Sequence, residues 1–504
     1  MADGAIAAPP PVRAWRRTRR RGRVRLGPRS GLLLLGLASA VGLFLADGDA
    51  RPLVLPLLAL AYVAALHVAV LWRRDRELPV FEIGTLWVAA TLLYGAMPFV
   101  NFIVDGLRWG PTSDGRLAQY PVDIDRLVSF AWRYVAYLAS FVAVYLPLRA
   151  RHTARGAPLD PVPRSMFAAL LIVLWLQWAF EQALFLLYGL DVSVSYTDLP
   201  VTTRPAEMPY VLWQVTLIVL ASVFVAKQAL LLLLIRQWRD LRWRLALIAW
   251  LAVEVVGVAV QMGSRGLAIR LLLTFALLYH RFVRPVRPLA LLAGGAVLLA
   301  GFLAQGILRF RPSLEDGLDL RTLLTTGNEF QSIFATAYDL FQRRAAGTMP
   351  EVPWQIYVSD LYLIVPSQLL PFEKWDPAEW YLEVIGARGT GVGFMFGVMA
   401  QAVLGLDWIE LVARGALLGL CGALLHRWYV RRARRFWPTV LYLFIGIWAY
   451  YTVRATSFYL VHFVVYQFAS VMLVAMLLDA ALRRRRRRTA GGVSGPSPAE
   501  AARP

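Results

Sequence analysis

The residues able to do chemistry in this chain are arginines beside glycines and acids beside aromatic rings, set at the ends of long apolar runs. The sharpest instance is Gly263-Ser264-Arg265-Gly266, a turn between two such runs. Its glycines permit a tight reversal and close backbone approach. The N–H groups exposed where the next helix begins bind anions, and the planar fork of Arg265 suits phosphate oxygens. Arg270 sits about 140° further around that helix and little more than a turn deeper. The two arginines reach one group only if Arg265 bends back from the turn. Arg309-Phe310-Arg311-Pro312 sets two more arginines directly after an apolar run, a second fit for a lipid phosphate or pyrophosphate. The plainer reading of each motif is a structural turn or a helix-end anchor.

Acids form the other half of the inventory. Gly327-Asn328-Glu329-Phe330 opens a helix-like stretch containing Asp339. Pro371-Phe372-Glu373-Lys374-Trp375-Asp376-Pro377-Ala378-Glu379-Trp380-Tyr381 mixes carboxylates with aromatic rings, as a sugar site requires. An interfacial aromatic belt has the same composition. Glu254 and Arg270 flank the Gly-Ser-Arg-Gly turn from inside apolar runs. Arg133, Glu181, Lys227 and His462 also lie within such runs. Ionisable groups there are costly and face a bundle interior or a cavity, and the bland alternative for each is an internal ion pair. Arg454 occupies a short polar turn, with Tyr459 and His462 just beyond it.

The elements that must hold these groups are membrane spans. The chain has 504 residues, 58% of them hydrophobic, with mean hydropathy +0.55. That apolar share exceeds the 45–50% typical of soluble domains. Apolar stretches long enough to cross a hydrocarbon core about 30 Å thick recur along it. Twelve spans are expected near 31–46, 52–72, 82–104, 125–147, 166–188, 210–235, 245–262, 267–282, 288–307, 408–425, 438–453 and 458–481. The net charge of +21 points to no nucleic acid, because the arginines concentrate between alternate spans. Basic connectors at 73–76, 149–155, 236–244, 280–287 and 426–435, and the arginines at 483–488, all fall on one side. That is the positive-inside pattern, and it puts both termini in the cytoplasm of a bacterial inner membrane. No signal peptide is expected.

The fold expected is all-α, a polytopic bundle. A basic disordered tail covers 1–28, nine spans fill 29–308, and three more fill 408–482. A second basic disordered tail follows at 483–504. Between the two sets of spans lies one large extracytoplasmic loop, 309–407. Its part from 309 to 390 carries eleven acids against seven bases. Two apolar pieces inside it, 357–371 and 391–405, are interrupted by proline or rich in glycine and read as re-entrant or interfacial. Irregular backbone at that depth needs cover from protein or a water-filled cavity. Cys421 is the single cysteine, so no intrachain disulfide forms. No P-loop, HExxH, G-x-S-x-G or Cys/His metal spacing occurs. No cofactor or metal is expected.

This arrangement resembles the O-antigen or oligosaccharide repeat-unit polymerase family (Wzy-type). The likeness rests on the Gly-Ser-Arg-Gly turn at 263–266, the segment from Tyr357 through Pro366 to Pro371, the Gly-rich run 389–405 and the arginine-bearing turn at Arg454. It covers roughly 250–470. The Arg-x10-Gly pattern of some members is missing from both long outer loops, so arginine roles are not copied from it. The resemblance implies a C-type glycosyltransferase-like, metal-independent, inverting transfer on the outer face. A growing glycan on undecaprenyl pyrophosphate is attacked by a hydroxyl of a lipid-linked repeat unit. Membrane lipid, a chain-length regulator and a flippase are the implied partners. Arg265, Arg270, Arg309, Arg311, Arg454 and Tyr459 are the expected pyrophosphate and glycan contacts, and Glu329, His462 and Glu254 the candidate bases. A ligase-like or other polyprenyl-donor transferase shares this chemistry. A lipid-linked oligosaccharide transporter is the non-enzymatic alternative, and it predicts charge along several helices of a central cavity.

Overall fold

The computed structural model describes residues 48–75, 80–104, 122–151, 159–189, 207–260, 265–310, 329–362, 364–366, 369–387 and 396–491. Among them every regular element is helical. The long helices of the first half are α1 (Val54–Asp75), α2 (Ile83–Val104), α3 (Ile124–Leu148), α4 (Arg164–Tyr188), α5 (Tyr210–Ile235), α6 (Leu241–Val260), α7 (Arg265–Leu278) and α8 (Pro288–Phe310). Then come α9 (Glu329–Ala345) and four short pieces, α10 (Trp354–Tyr357), α11 (Ser359–Tyr362), α12 (Pro377–Val384) and α13 (Val398–Leu404). The chain closes with α14 (Trp408–Arg432), α15 (Phe436–Ile447), α16 (Tyr451–Arg454), α17 (Tyr459–Phe463) and α18 (Ala469–Gly491).

Nine stretches among the described residues are long and apolar enough to cross a membrane: Gly48–Asp75, Ile83–Ile103, Ile124–Leu148, Arg164–Tyr188, Tyr210–Ile235, Gly266–Val283, Trp408–Arg432, Phe436–Arg454 and Tyr459–Arg485. The chain is a multi-pass helical membrane protein. These nine coincide with nine of the twelve expected spans. Two more expectations, 245–262 and 288–307, fall on α6 and α8, helices of 20 and 23 residues that are not among the nine. The expected span 31–46 and tail 1–28 lie outside the described residues.

The tail at 483–504 differs from expectation. α18 runs on through the arginines to Gly491. Asp479 pairs with Arg483 one turn on, arginine is a good helix former, and cations suit a helix C-terminus. Charge therefore does not end the helix where apolarity ends.

α3 is the hub. It packs along α1 on one side and α14 on the other. The α14 contact is a glycine seam with the spacing Gly415-Ala416-Leu417-Leu418-Gly419. A Cβ on Gly419 would stand 2.6 Å from the Phe141 carbonyl, and one on Gly415 would meet the Tyr137 carbonyl. Such small-residue seams let helix backbones approach where lipid offers no hydrophobic drive. At one end of α3, Arg149 reaches Glu82 with two bonds of 2.7 Å and Asp75 with one of 2.5 Å. The Tyr145 hydroxyl also donates to Glu82 at 2.7 Å. Burial pushes the Glu82 carboxyl above the usual carboxylate range, against the pull of Arg149.

At the other end of α3, the segment expected as an outer loop enters the core. α9 carries an apolar stripe, Phe330, Phe334, Tyr338 and Phe341, at helical spacing. Phe334 lies edge-on to Phe99, Phe102 and Phe130, with centroids 5.3 to 5.8 Å apart. α9 is thus wedged against α2 and α3. α13 has seven residues, all buried, too few to cross a hydrocarbon core. Arg344 of α9 donates to the Val403 and Gly405 carbonyls at its end, capping groups that helix geometry leaves open.

Candidate functional site

Asp360 of α11 is the centre of a buried polar cluster. Its Oδ2 accepts from Arg414 Nη1 at 2.5 Å and from Gln401 Nε2 at 3.1 Å. Arg414 also donates through Nε to Glu410 at 2.7 Å, so one guanidinium serves two carboxylates. The Asp360 side chain is 9% exposed, and its Oδ1 meets no donor among the described residues. Gln401 Oε1 and Ser359 Oγ, both buried, likewise meet none. Tyr137 of α3 stands within electrostatic reach of Arg414 and Asp360. Its hydroxyl donates to the Thr452 carbonyl at 3.2 Å.

Local structure brings these groups together. α13 begins at Gly397, where a Cβ would stand 2.7 Å from the Val453 carbonyl. Only a residue without a side chain lets the strand of chain leading into α13 lie on the 452–457 turn. Glu410 accepts from the Leu406 N–H at 3.0 Å and holds the start of α14. Four segments, 359–362, 397–404, 407–414 and 451–457, thereby share one polar interior with α3.

A shelf of rings and cations continues from that turn. The Arg270 guanidinium lies 4.1 Å from the Trp448 ring centroid and 5.2 Å from that of Phe224. Its Nε donates to the Gly266 carbonyl at 2.9 Å, so Arg270 curls back toward the start of α7. Trp448 meets Tyr451 at 5.0 Å, and Arg454 lies 5.0 Å from the same Tyr451 ring. Tyr451 stacks on Tyr459 at 5.9 Å, and Tyr459 meets His462 in a tilted contact at 5.5 Å. The Tyr466 hydroxyl, one turn on, donates to the Ile364 carbonyl at 2.7 Å. Arg270, distant in sequence, thus joins Arg454, Tyr459 and His462 through one continuous run of ring contacts. Phe224 lies midway along α5, about 21 Å from its start at 1.5 Å per residue.

Other expected residues are placed elsewhere. Glu254, a candidate base, pairs with Lys227 at 2.6 Å between α6 and α5, the internal ion pair that was its alternative. Lys227 follows Phe224 by one turn of α5, and Glu181 of α4 lies within electrostatic reach of the pair. Arg265 and Glu329 open α7 and α9, and Arg309 lies in the last turn of α8. The side chains of these three lie outside the described part of the structure, as does Arg311 altogether.

The 371–381 stretch is built around a helix cap and a buried hydroxyl. Asp376 caps α12, accepting from the Ala378 N–H at 2.7 Å, with Pro377 in the first turn. Trp380 and Tyr381 are buried, and the Tyr381 hydroxyl donates to Asp339 at 2.6 Å. Asp339 in turn pairs with Arg343 at 3.0 Å. Tyr381 thereby fastens α12 to α9. Burial pushes the Asp376 carboxyl up and the Lys374 ammonium down, and pushes Tyr362 up to about 12.

Asp360, Gln401, Asp407, Arg414 and Trp448 are the residues that sequence reasoning missed. A signal existed for Arg414. It lies within the expected span 408–425, on the side opposite the basic connectors. Among the described residues, no three His, Cys, Asp or Glu side chains converge as metal ligands do. No family model, curated protein or solved structure matches this chain.

Proposed function

We propose that the protein polymerises undecaprenyl-pyrophosphate-linked oligosaccharide repeat units into a surface polysaccharide at the outer face of the cytoplasmic membrane. In this reading it is a C-type-like inverting glycosyltransferase of about twelve spans, with both termini inside. The observation that carries it is the continuity between a cationic aromatic shelf and a buried carboxylate cluster. Arg270 and Arg454 lie on the Trp448–Tyr451 rings, and the turn that follows accepts from Tyr137, which stands within electrostatic reach of the Asp360–Arg414 pair. Such a transfer needs cations where pyrophosphate charge develops and an acceptor near the attacking hydroxyl. Both kinds of group occur here on adjoining segments. Rings beside them suit the C–H faces of sugars.

The test is elongation by the purified protein in proteoliposomes, given a lipid-linked repeat unit and EDTA. A ladder of longer glycans is the expected product. A strict metal requirement removes the metal-independent mechanism, and transfer to a different lipid acceptor moves the case to a ligase-like enzyme. A second reading, a transporter of lipid-linked oligosaccharide, is favoured by the charged set Glu181, Lys227 and Glu254 on three successive helices. Movement of the lipid-linked unit across the vesicle without elongation selects it.

A further inference from the structure

We propose that Asp360 is the general base of this transfer, with Arg414 and Gln401 as its positioning residues. The inference rests on the polymerase reading and names a group within it. Its basis is the asymmetry of one buried carboxylate. Oδ2 is held from two directions, by Arg414 and Gln401. Oδ1 is buried and meets no protein donor among the described residues. A buried acceptor of that kind is costly unless a donor reaches it. Arg414 does not neutralise it alone, because Glu410 shares the same guanidinium. Two carboxylates thus share the one Arg414 guanidinium, and Asp360 Oδ1 keeps an open acceptor position that a hydroxyl donor would fill.

The step balances as follows. The acceptor hydroxyl gives its proton to Asp360 Oδ1 while its oxygen bonds to the anomeric carbon. The bond from that carbon to the pyrophosphate oxygen breaks, and the electron pair leaves with undecaprenyl pyrophosphate. Arg270 and Arg454 face the charge so formed. Asp360 then passes the proton to water. Among the earlier base candidates, Glu254 is engaged with Lys227, and His462 belongs to the aromatic shelf on the leaving-group side. The 452–457 turn, whose Thr452 carbonyl accepts from Tyr137 and whose Val453 carbonyl lies beside Gly397, links the Asp360 cluster to that shelf along the chain.

The experiment compares wild type, Asp360→Asn and Asp360→Glu in the proteoliposome elongation assay, with separate kcat and KM. Asp360→Asn keeps the shape and should bind the lipid-linked unit with KM within about threefold of wild type. Its kcat should fall by about 10²–10⁴, the usual contribution of a general base. A wild-type kcat in Asp360→Asn overturns the assignment. If that variant does not fold, Asp360→Glu decides, since it keeps a carboxylate for Arg414 but displaces the basic oxygen. A kcat at least about tenfold lower at unchanged KM is expected, and wild-type kcat overturns the proposal. If wild type itself elongates nothing, the polymerase reading fails and the base assignment fails with it. Elongation by wild type and both variants alike removes the base and leaves the polymerase.

Discussion

Arg133 and Asp407 meet in a two-bond fork, Nε to Oδ1 at 2.8 Å and Nη2 to Oδ2 at 2.6 Å. Arg133 is almost wholly buried in α3, and its guanidinium lies between the Phe341 and Trp408 rings at 4.5 and 4.7 Å. Asp407 has φ +52°, the one described non-glycine residue with positive φ. That backbone costs on the order of 1–3 kcal/mol and persists only where the surroundings over-determine it. Here the fork does so, tying the start of α14 to α3 and α9.

Asp407→Ala should therefore destabilise strongly. Removing one partner of a buried pair leaves an uncompensated charge and costs about 3–5 kcal/mol. Thermal unfolding in detergent should show a clear fall in Tm. Asp407→Ala with Arg133→Met should recover part of it, because no buried charge then remains. A double variant less stable than Asp407→Ala counts against the pair.

The glycine seam makes a sterically sharper prediction. Gly419→Leu should separate α14 from α3 and lower stability by about 1–3 kcal/mol, as overpacking does. Gly257 of α6 is the control, since a Cβ there meets nothing within 4 Å. Gly257→Ala should hold or raise Tm, by about 0.5–1 kcal/mol at most. Equal Tm values for the two variants would sink the close-approach argument.

Arg270→Ala and Arg454→Ala should each abolish long-chain glycan while membrane levels of the protein stay normal. Removing one donor that faces developing charge costs about 10²–10³ in rate. Arg265→Ala is expected to act the same way. Glycan length in cells and elongation by purified protein are the readouts. Normal chains from both Arg270→Ala and Arg454→Ala would remove the pyrophosphate contact from this shelf.

Asp376 predicts a pH dependence. Burial raises its carboxyl above the ordinary value. Its protonated form is thus favoured by folding, and the stability it contributes is present at low pH. That stability is lost as pH rises through the raised value. Asp376→Asn keeps a good cap for α12 without a buried charge. Its Tm, measured from pH 4 to pH 8, should gain on wild type as pH climbs. A gap that stays constant across that range argues against the burial effect.

Much of the architecture was legible without coordinates, because the physical cause is local. Each span declares itself by apolar residues contiguous in the chain, and nine expected spans coincide with apolar helices of spanning length. The tail was misjudged because charge was taken to end a helix, whereas Asp479, arginine propensity and the helix dipole extend it.

The site was only partly legible, and the reason is distance along the chain. Arg270, Arg454, Tyr459 and His462 could be picked singly as costly groups. Nothing in sequence tells that Trp448 lies under Arg270, 178 positions away. Asp360 is one acid among eleven between 309 and 390, set in the apolar piece 357–371. What distinguishes it is an arginine 54 positions on and a glutamine 41 positions on. Within 371–381, sequence does not tell that the Tyr381 hydroxyl is taken by Asp339 of α9, 42 positions away. Hydropathy alone determined that this is a multi-pass helical membrane protein, because burial in lipid is set residue by residue along the chain. Only tertiary packing decided which charges face one another, because that depends on backbones meeting at Gly397, Gly415 and Gly419, where the absence of a side chain has meaning only once a neighbour is present.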